Sequence, residues 1–171
     1  VEDIIHLSRL DEGGDGLKME PVDLLELARQ TAGRLEPVAR RAEVAMEVKG
    51  SPAQITGVPA VLDEMVFNLC DNAVKYNRAG GSVTVSVEPG EHETVLTVAD
   101  TGIGIPDQDR DRVFERFYRV DKSHSRQIGG TGLGLSIVKH AAALHDARID
   151  LDSTLGKGTT IRVSFPNERG K

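Results

Sequence analysis

The sequence predicts an α+β fold: a two-layer sandwich in which three helices cover one face of a mixed, mostly antiparallel sheet of about five strands, with a long lid at one side. Two observations predict it. Segments with a helical apolar period alternate with segments that switch between apolar and polar residues and come in pairs joined by tight turns. Between one such pair and the last helix lies a stretch of roughly thirty residues, 101–131, rich in glycine and charge; loops beyond about 12–15 residues in a compact domain are uncommon and usually functional.

Residues 1–10 (VEDIIHLSRL) place Val1, Ile4, Ile5 and Leu10 on one helical face. The run DEGGDG at 11–16 cannot continue a helix and marks a linker, which divides the chain into an appendage, 1–16, and a main domain, 17–171. A short strand is expected over 17–20, ahead of Pro21. Residues 22–42 carry Val22, Leu25, Ala28, Ala32 and Leu35 at helical spacing, with the helix expected to kink or restart at Pro37. Residues 43–49 (EVAMEVK) alternate as a half-buried strand does. Pro59 suits the first turn of a second helix over 59–76, and the RAGG stretch at 78–81 turns the chain. Strands follow at 82–88 (SVTVSVE) and 93–99 (ETVLTVA), joined at Pro89 and Gly90. The lid holds one short helix, 108–117. A third long helix is expected over 131–145, then closing strands at 148–152 and 159–164 around a turn at 155–158.

Composition narrows the function classes. With 21 basic and 27 acidic residues the net charge is −6, which disfavours a general nucleic-acid binder. No apolar run approaches the ~18 residues needed to span a bilayer, and there is no signal peptide; the chain starts at Val1 without an initiator Met and reads as a soluble piece of something longer. Cys70 is the single cysteine, so no internal disulfide forms. The 18 glycines exceed the roughly 12 expected at this length, and four of them fall within residues 129–134.

Chemistry gathers in four places. Asn68, Asn72, Lys75 and Tyr76 fall at i, i+4, i+7 and i+8, one stripe of the second helix, while Met65, Leu69 and Ala73 run toward the core. An Asn carbonyl oxygen is a hard neutral ligand suited to Mg²⁺, and a Lys one turn away reaches a phosphate as a point charge. Such a stripe alone is more often a solvated face; the downstream glycines reverse that preference. Residues 100–106 (DTGIGIP) follow a strand directly, so the Asp100 carboxylate stands at a strand end where it can accept a hydrogen bond from an exocyclic amine, with Gly102 and Gly104 free to bend around a planar group. An Asx-type turn is the plainer alternative. Gly129, Gly130, Thr131, Gly132, Leu133 and Gly134 run into the third helix, whose N-terminal amides form an anion site. There is no GxxxxGK[ST], and the glycine spacing is wrong for a dinucleotide-binding turn. Finally, Phe114, Phe117 and Tyr118 crowd into residues 114–119 (FERFYR); the phenylalanines suit docking of a short helix, whereas Arg119 suits stabilisation of a transferring phosphoryl group.

These four segments, in this order, resemble the catalytic ATP-binding domain of sensor histidine kinases, whose Bergerat-type fold is shared by gyrase, MutL and the large heat-shock chaperone. Residues 68–76 look like the family's N box, 100–106 its first glycine box, 114–119 its F box and 130–135 its second glycine box; the match covers roughly residues 19–166. The resemblance implies that ATP and Mg²⁺ are the cofactors. It implies that Asn72 coordinates the metal with Asn68 in support, Lys75 meets phosphate, Tyr76 lies near adenine, Asp100 binds the adenine amine and Arg119 approaches the γ-phosphate from the lid. Gly102, Gly104, Gly130, Thr131, Gly132, Leu133 and Gly134 line the nucleotide, and Thr159 joins the adenine site through water. Hydrolytic relatives place a Glu general base where this chain has Asn68, and an amide cannot take a proton from water, so transfer to another nucleophile is expected rather than hydrolysis.

The resemblance also implies an acceptor histidine on a dimerisation domain and onward transfer to a response-regulator aspartate. None of His6, His92, His124 and His140 has the family's acceptor context, and His145 suits a cap or dipole contact at a helix end. The acceptor therefore lies outside this chain, and residues 1–16 look like the tail of the dimerisation domain's second helix. The implied setting is a cytoplasmic domain of a membrane-anchored homodimeric parent, itself monomeric and without nucleic-acid partners. Two other readings remain: a nucleotide-gated interaction module without transfer, and an anti-sigma-type serine kinase of the same fold. One departure concerns geometry: Asp146 and Ala147 follow His145 where the family often has a glycine pair.

Overall fold

The computed structural model describes residues 18–104, 134–154 and 156–166. The appendage at 1–16, the boundary after it and the short helix expected at 108–117 lie outside the described residues. The elements run β1 (Glu20–Asp23), α1 (Leu24–Arg41), β2 (Ala45–Gly50), β3 (Gln54–Gly57), α2 (Pro59–Lys75), β4 (Ser82–Pro89), β5 (Glu93–Asp100), α3 (Gly134–Leu144), β6 (Arg148–Thr154) and β7 (Gly158–Pro166).

The main sheet has five strands in the order β2-β4-β5-β7-β6, with β2 and β4 parallel and the other neighbours antiparallel, as the α+β reading expects. Period-two alternation puts Val83, Val85 and Val87 of β4, Leu96 and Val98 of β5, and Ile161 and Val163 of β7 on one buried face. Against it pack Leu62, Met65, Val66 and Leu69 of α2 and Val138 and Ala141 of α3, forming one core. Cys70 belongs to that core; burial, with the nearby Asp71 charge, pushes its thiol up to about 12, so it behaves as a small apolar residue. Among the described residues no helix is long and apolar enough to cross a membrane.

Three local expectations change. The first strand is Glu20–Asp23 rather than 17–20, because it pairs with β3, a four-residue strand too short to stand out in the sequence. Pro21 is tolerated in this separate two-stranded ribbon, where no central ladder requires its missing N–H. Asp23 then caps α1, its Oδ1 accepting from the amides of Leu25 (3.1 Å) and Glu26 (3.2 Å), so the helix starts at Leu24. Finally, the helix does not restart at Pro37 but runs on through it to Arg41; the carbonyl that loses its donor is that of Gly33, on the exposed side, where solvent can bond it.

Helix α3 explains the missing glycine pair. Asp146 adopts φ 55, the left-handed conformation that glycine usually supplies one residue past a helix, and the Ala147 amide closes the turn on the Ala142 carbonyl at 2.8 Å. An L-residue pays a steric cost there, which Asp bears better than most. Asp146→Gly is therefore expected to raise unfolding stability by about 0.5–1 kcal/mol, a melting shift of about 1–4 °C by calorimetry.

His145, just before this turn, locks α3 to the start of α2. Its Nδ1–H donates to the Ala141 carbonyl (2.7 Å), and its Nε2 accepts the Val58 amide (3.0 Å) at the N-cap of α2, which has no side-chain cap of its own. Burial pushes the imidazole pKa down, favouring the neutral ring that these two bonds require. A Cβ on Gly57 would press into that ring, so glycine is needed beside it. The contact at a helix end expected for His145 is present, with a capping bond added.

Candidate functional site

The C-terminal half of α2 supplies one wall. Asn68 is buried, and its NH₂ donates to the Glu64 carbonyl at 2.7 Å and to Glu64 Oε2 at 3.4 Å, leaving its own carbonyl oxygen without a partner among the described residues. Half-buried Asn72, one turn later, makes no side-chain hydrogen bond among the described residues. Lys75 pairs with Asp71 Oδ2 at 3.0 Å, an i, i+4 contact that the sequence reading did not use. Tyr76 caps the helix with its amide on the Asn72 carbonyl (3.0 Å), and its own carbonyl accepts the Ile103 amide (3.0 Å). That last bond ties the Asn-bearing helix to the segment following β5.

Asp100, the last residue of β5, is the electrostatic centre of that segment. Its Oδ1 accepts two amides, from Gly102 at 2.8 Å and Thr159 at 3.2 Å, while Oδ2 has no partner among the described residues. Burial pushes the carboxyl pKa up, and the two amides pull it part of the way back. The amides thus orient the carboxylate and leave one oxygen for an external donor. Three chain segments converge here, which requires glycine twice: a Cβ on Gly102 would collide with the Tyr76 carbonyl oxygen, and one on Gly158 (φ +135) with the Asp100 carbonyl oxygen. Gly104 is buried at φ +77. Thr159 contributes its backbone amide to Asp100, and its Oγ1 pairs with Ser153 Oγ at 2.8 Å.

Arg78, read from the sequence only as part of a turn, spans two of these segments. Its Nε donates to the Thr101 carbonyl (3.2 Å), and Nη2 donates to the carbonyls of Gly102 (2.7 Å) and Gly156 (2.6 Å). Gly134 opens α3, which packs on α2. Arg119, Gly130, Thr131, Gly132 and Leu133 lie outside the described residues. The structure thus brings Tyr76, Asp100, Gly102 and Thr159 into one bonded cluster, with Asn68, Asn72 and Lys75 on the helix leading into it.

This donor set fits a hydrated Mg²⁺ held largely by phosphate. Among the described residues, neither of the two Asn carbonyl oxygens, one turn apart and each a hard neutral ligand, is engaged by a donor, and no three His, Cys, Asp or Glu side chains gather to cage a metal.

Comparison with known proteins bears on the family and the fold. Residues 57–169 match the family described as histidine kinase-, DNA gyrase B- and HSP90-like ATPases. The chain is 37% identical over 168 residues to the sensor-like histidine kinase SenX3 of Mycolicibacterium smegmatis and 36% identical over 169 residues to the sensor histidine kinase WalK of Bacillus subtilis, with 97% of this chain covered in each case. It spans only 44% and 28% of the lengths of those two proteins. Among solved structures, the mycobacterial sensor histidine kinase MprB superposes with a TM-score of 0.76 at 35% identity, covering 86% of this chain and 97% of that one. Full-length ShkA, solved in complex with AMPPNP, superposes with a TM-score of 0.82 at 30% identity, covering 96% of this chain and 34% of that one.

Proposed function

This chain belongs to the histidine kinase-, DNA gyrase B- and HSP90-like ATPase family, on its sensor histidine kinase side, and we propose that it binds Mg²⁺–ATP and hands the γ-phosphoryl group to a histidine of a dimerisation domain, for onward transfer to a response-regulator aspartate. The observation that carries the reading is the half-used Asp100 carboxylate: one oxygen is held by two backbone amides, and the other, without a partner among the described residues, would take the exocyclic amine of adenine.

In this reading Tyr76 and the glycines at 102 and 104 form the floor for the base. Asn72, with Asn68 beside it, would hold Mg²⁺, which when bound neutralises phosphate charge. Lys75 would exchange its Asp71 partner for a phosphate oxygen, and Arg119 with the amides at 130–134 would complete the phosphate shell. The acceptor imidazole nitrogen attacks the γ-phosphorus, the bond to the β,γ-bridging oxygen breaks, ADP departs and the ring proton passes to solvent or a base beside the acceptor. Asn68 cannot activate water, which favours transfer over hydrolysis. Most of the catalysis is positioning and charge neutralisation.

Incubation with γ-radiolabelled ATP and a histidine-bearing dimerisation domain supplied in trans tests this. The expected product is acid-labile and base-stable phosphohistidine on the added domain. Nucleotide binding without any such product would replace the kinase reading with that of a nucleotide-gated module, and acid-stable phosphoserine would point to a serine kinase.

A further inference from the structure

We propose that Arg78 is a positioning residue for base recognition: its guanidinium clamps the two segments whose amides aim the Asp100 carboxylate. The inference rests on the reading of Asp100 as the adenine-facing group.

The two amides on Asp100 Oδ1 come from different parts of the chain, Gly102 just past β5 and Thr159 at the start of β7. The β5–β7 ladder ends at the pairing of Asp100 with Thr159, so beyond it regular sheet bonding no longer holds the segments together. Among the described residues, two connections continue across the gap. One is the Gly156 amide on the Ile103 carbonyl at 2.7 Å. The other is Arg78, which bridges the Thr101 and Gly102 carbonyls on one side and the Gly156 carbonyl on the other.

The chemistry suits arginine in particular. A planar guanidinium offers five N–H donors in a fixed fork and keeps its charge, whereas lysine offers a single rotating ammonium that cannot span the same carbonyls in one geometry. The peptide whose Gly102 N–H orients Asp100 carries the Thr101 oxygen that Arg78 Nε holds, and Nη2 holds the next peptide by its Gly102 oxygen, so releasing the clamp loosens the carboxylate without removing any group that touches nucleotide. The base of Arg78 is set in turn by Asn77, whose Oδ1 accepts the Arg78 amide (2.8 Å) and whose Nδ2 donates to the Ser82 carbonyl (3.0 Å). The clamp is exposed, so its removal leaves the hydrophobic core untouched.

Calorimetry on the 171-residue chain with Mg²⁺ and ADP, GDP or pyrophosphate tests the inference. Arg78→Ala is expected to weaken ADP about tenfold, to narrow the preference for ADP over GDP by about the same factor, and to leave pyrophosphate within about twofold. Arg78→Lys is expected to recover part of the ADP affinity. In the trans transfer assay KM for ATP should rise with kcat nearly unchanged, since the phosphate end is not touched. Hydrogen exchange without nucleotide should show the Gly102 and Thr159 amides losing protection in Arg78→Ala. Unchanged ADP affinity, or equal losses for ADP and pyrophosphate, overturns the inference while leaving the kinase reading in place. Failure of the unmodified chain to bind ADP overturns the adenine reading itself, and the clamp's role with it.

Discussion

Asn72→Ala is expected to cut phosphoryl transfer to an added acceptor domain by at least about a thousandfold while leaving the fold intact. By the proposed reading the substitution removes a metal ligand, and with it charge stabilisation worth several kcal/mol in the transition state. The structural cost is small: the Asn72 side chain bonds to nothing among the described residues, and alanine favours the helix by a few tenths of a kcal/mol. Activity and stability should therefore separate cleanly, with an unchanged circular dichroism spectrum and an equal or slightly higher melting temperature. Asn68 is a poorer site for this experiment, because its amide also bonds the Glu64 carbonyl and its loss disturbs the buried side of α2. Full transfer by Asn72→Ala would rule out the metal role proposed for it.

Asp100→Asn is expected to weaken ADP by about a hundredfold and pyrophosphate hardly at all. The variant keeps an oxygen for the Gly102 and Thr159 amides but replaces the free carboxylate oxygen with an NH₂, which opposes a donor to the exocyclic amine of the base. Stability should move the other way. Burial places the folded-state pKa of Asp100 above its ordinary value of 3.8. Its contribution to stability is thus fully present below about pH 4 and is lost as pH rises through the raised value, so at neutral pH the ionised carboxylate costs stability. The neutral amide escapes that cost. Denaturant unfolding should find Asp100→Asn at least as stable as the unmodified chain at pH 7, with the difference shrinking toward pH 4. A large drop in stability at pH 7, or equal losses for ADP and pyrophosphate, would contradict the reading.

Much of this was legible in the chain, for a reason visible in particular residues. The strand alternation at 82–88 and 93–99, the Pro59 helix start and the stripe from Asn68 to Tyr76 are written in spacings of two to eight residues, and local backbone geometry obeys such spacings wherever the segment lands. A strand of only four residues (QITG) carries too few alternations to register, and β1 shifted because its boundaries follow that partner. Asp71 stands one turn before Lys75 but off the stripe that carries Asn68 and Asn72, so the folded helix, not the stripe, reveals their pairing.

By itself, then, the sequence determined the α+β class, the family and the residue types brought to the site. Only the tertiary structure decided how one carboxylate is aimed, what clamps its surroundings and how α2 is capped. Those depend on hydrogen bonds across 59 residues from Thr159 to Asp100, 78 from Arg78 to Gly156 and 87 from Val58 to His145. No local period encodes such partners; they meet because the order of strands in the sheet brings distant segments side by side.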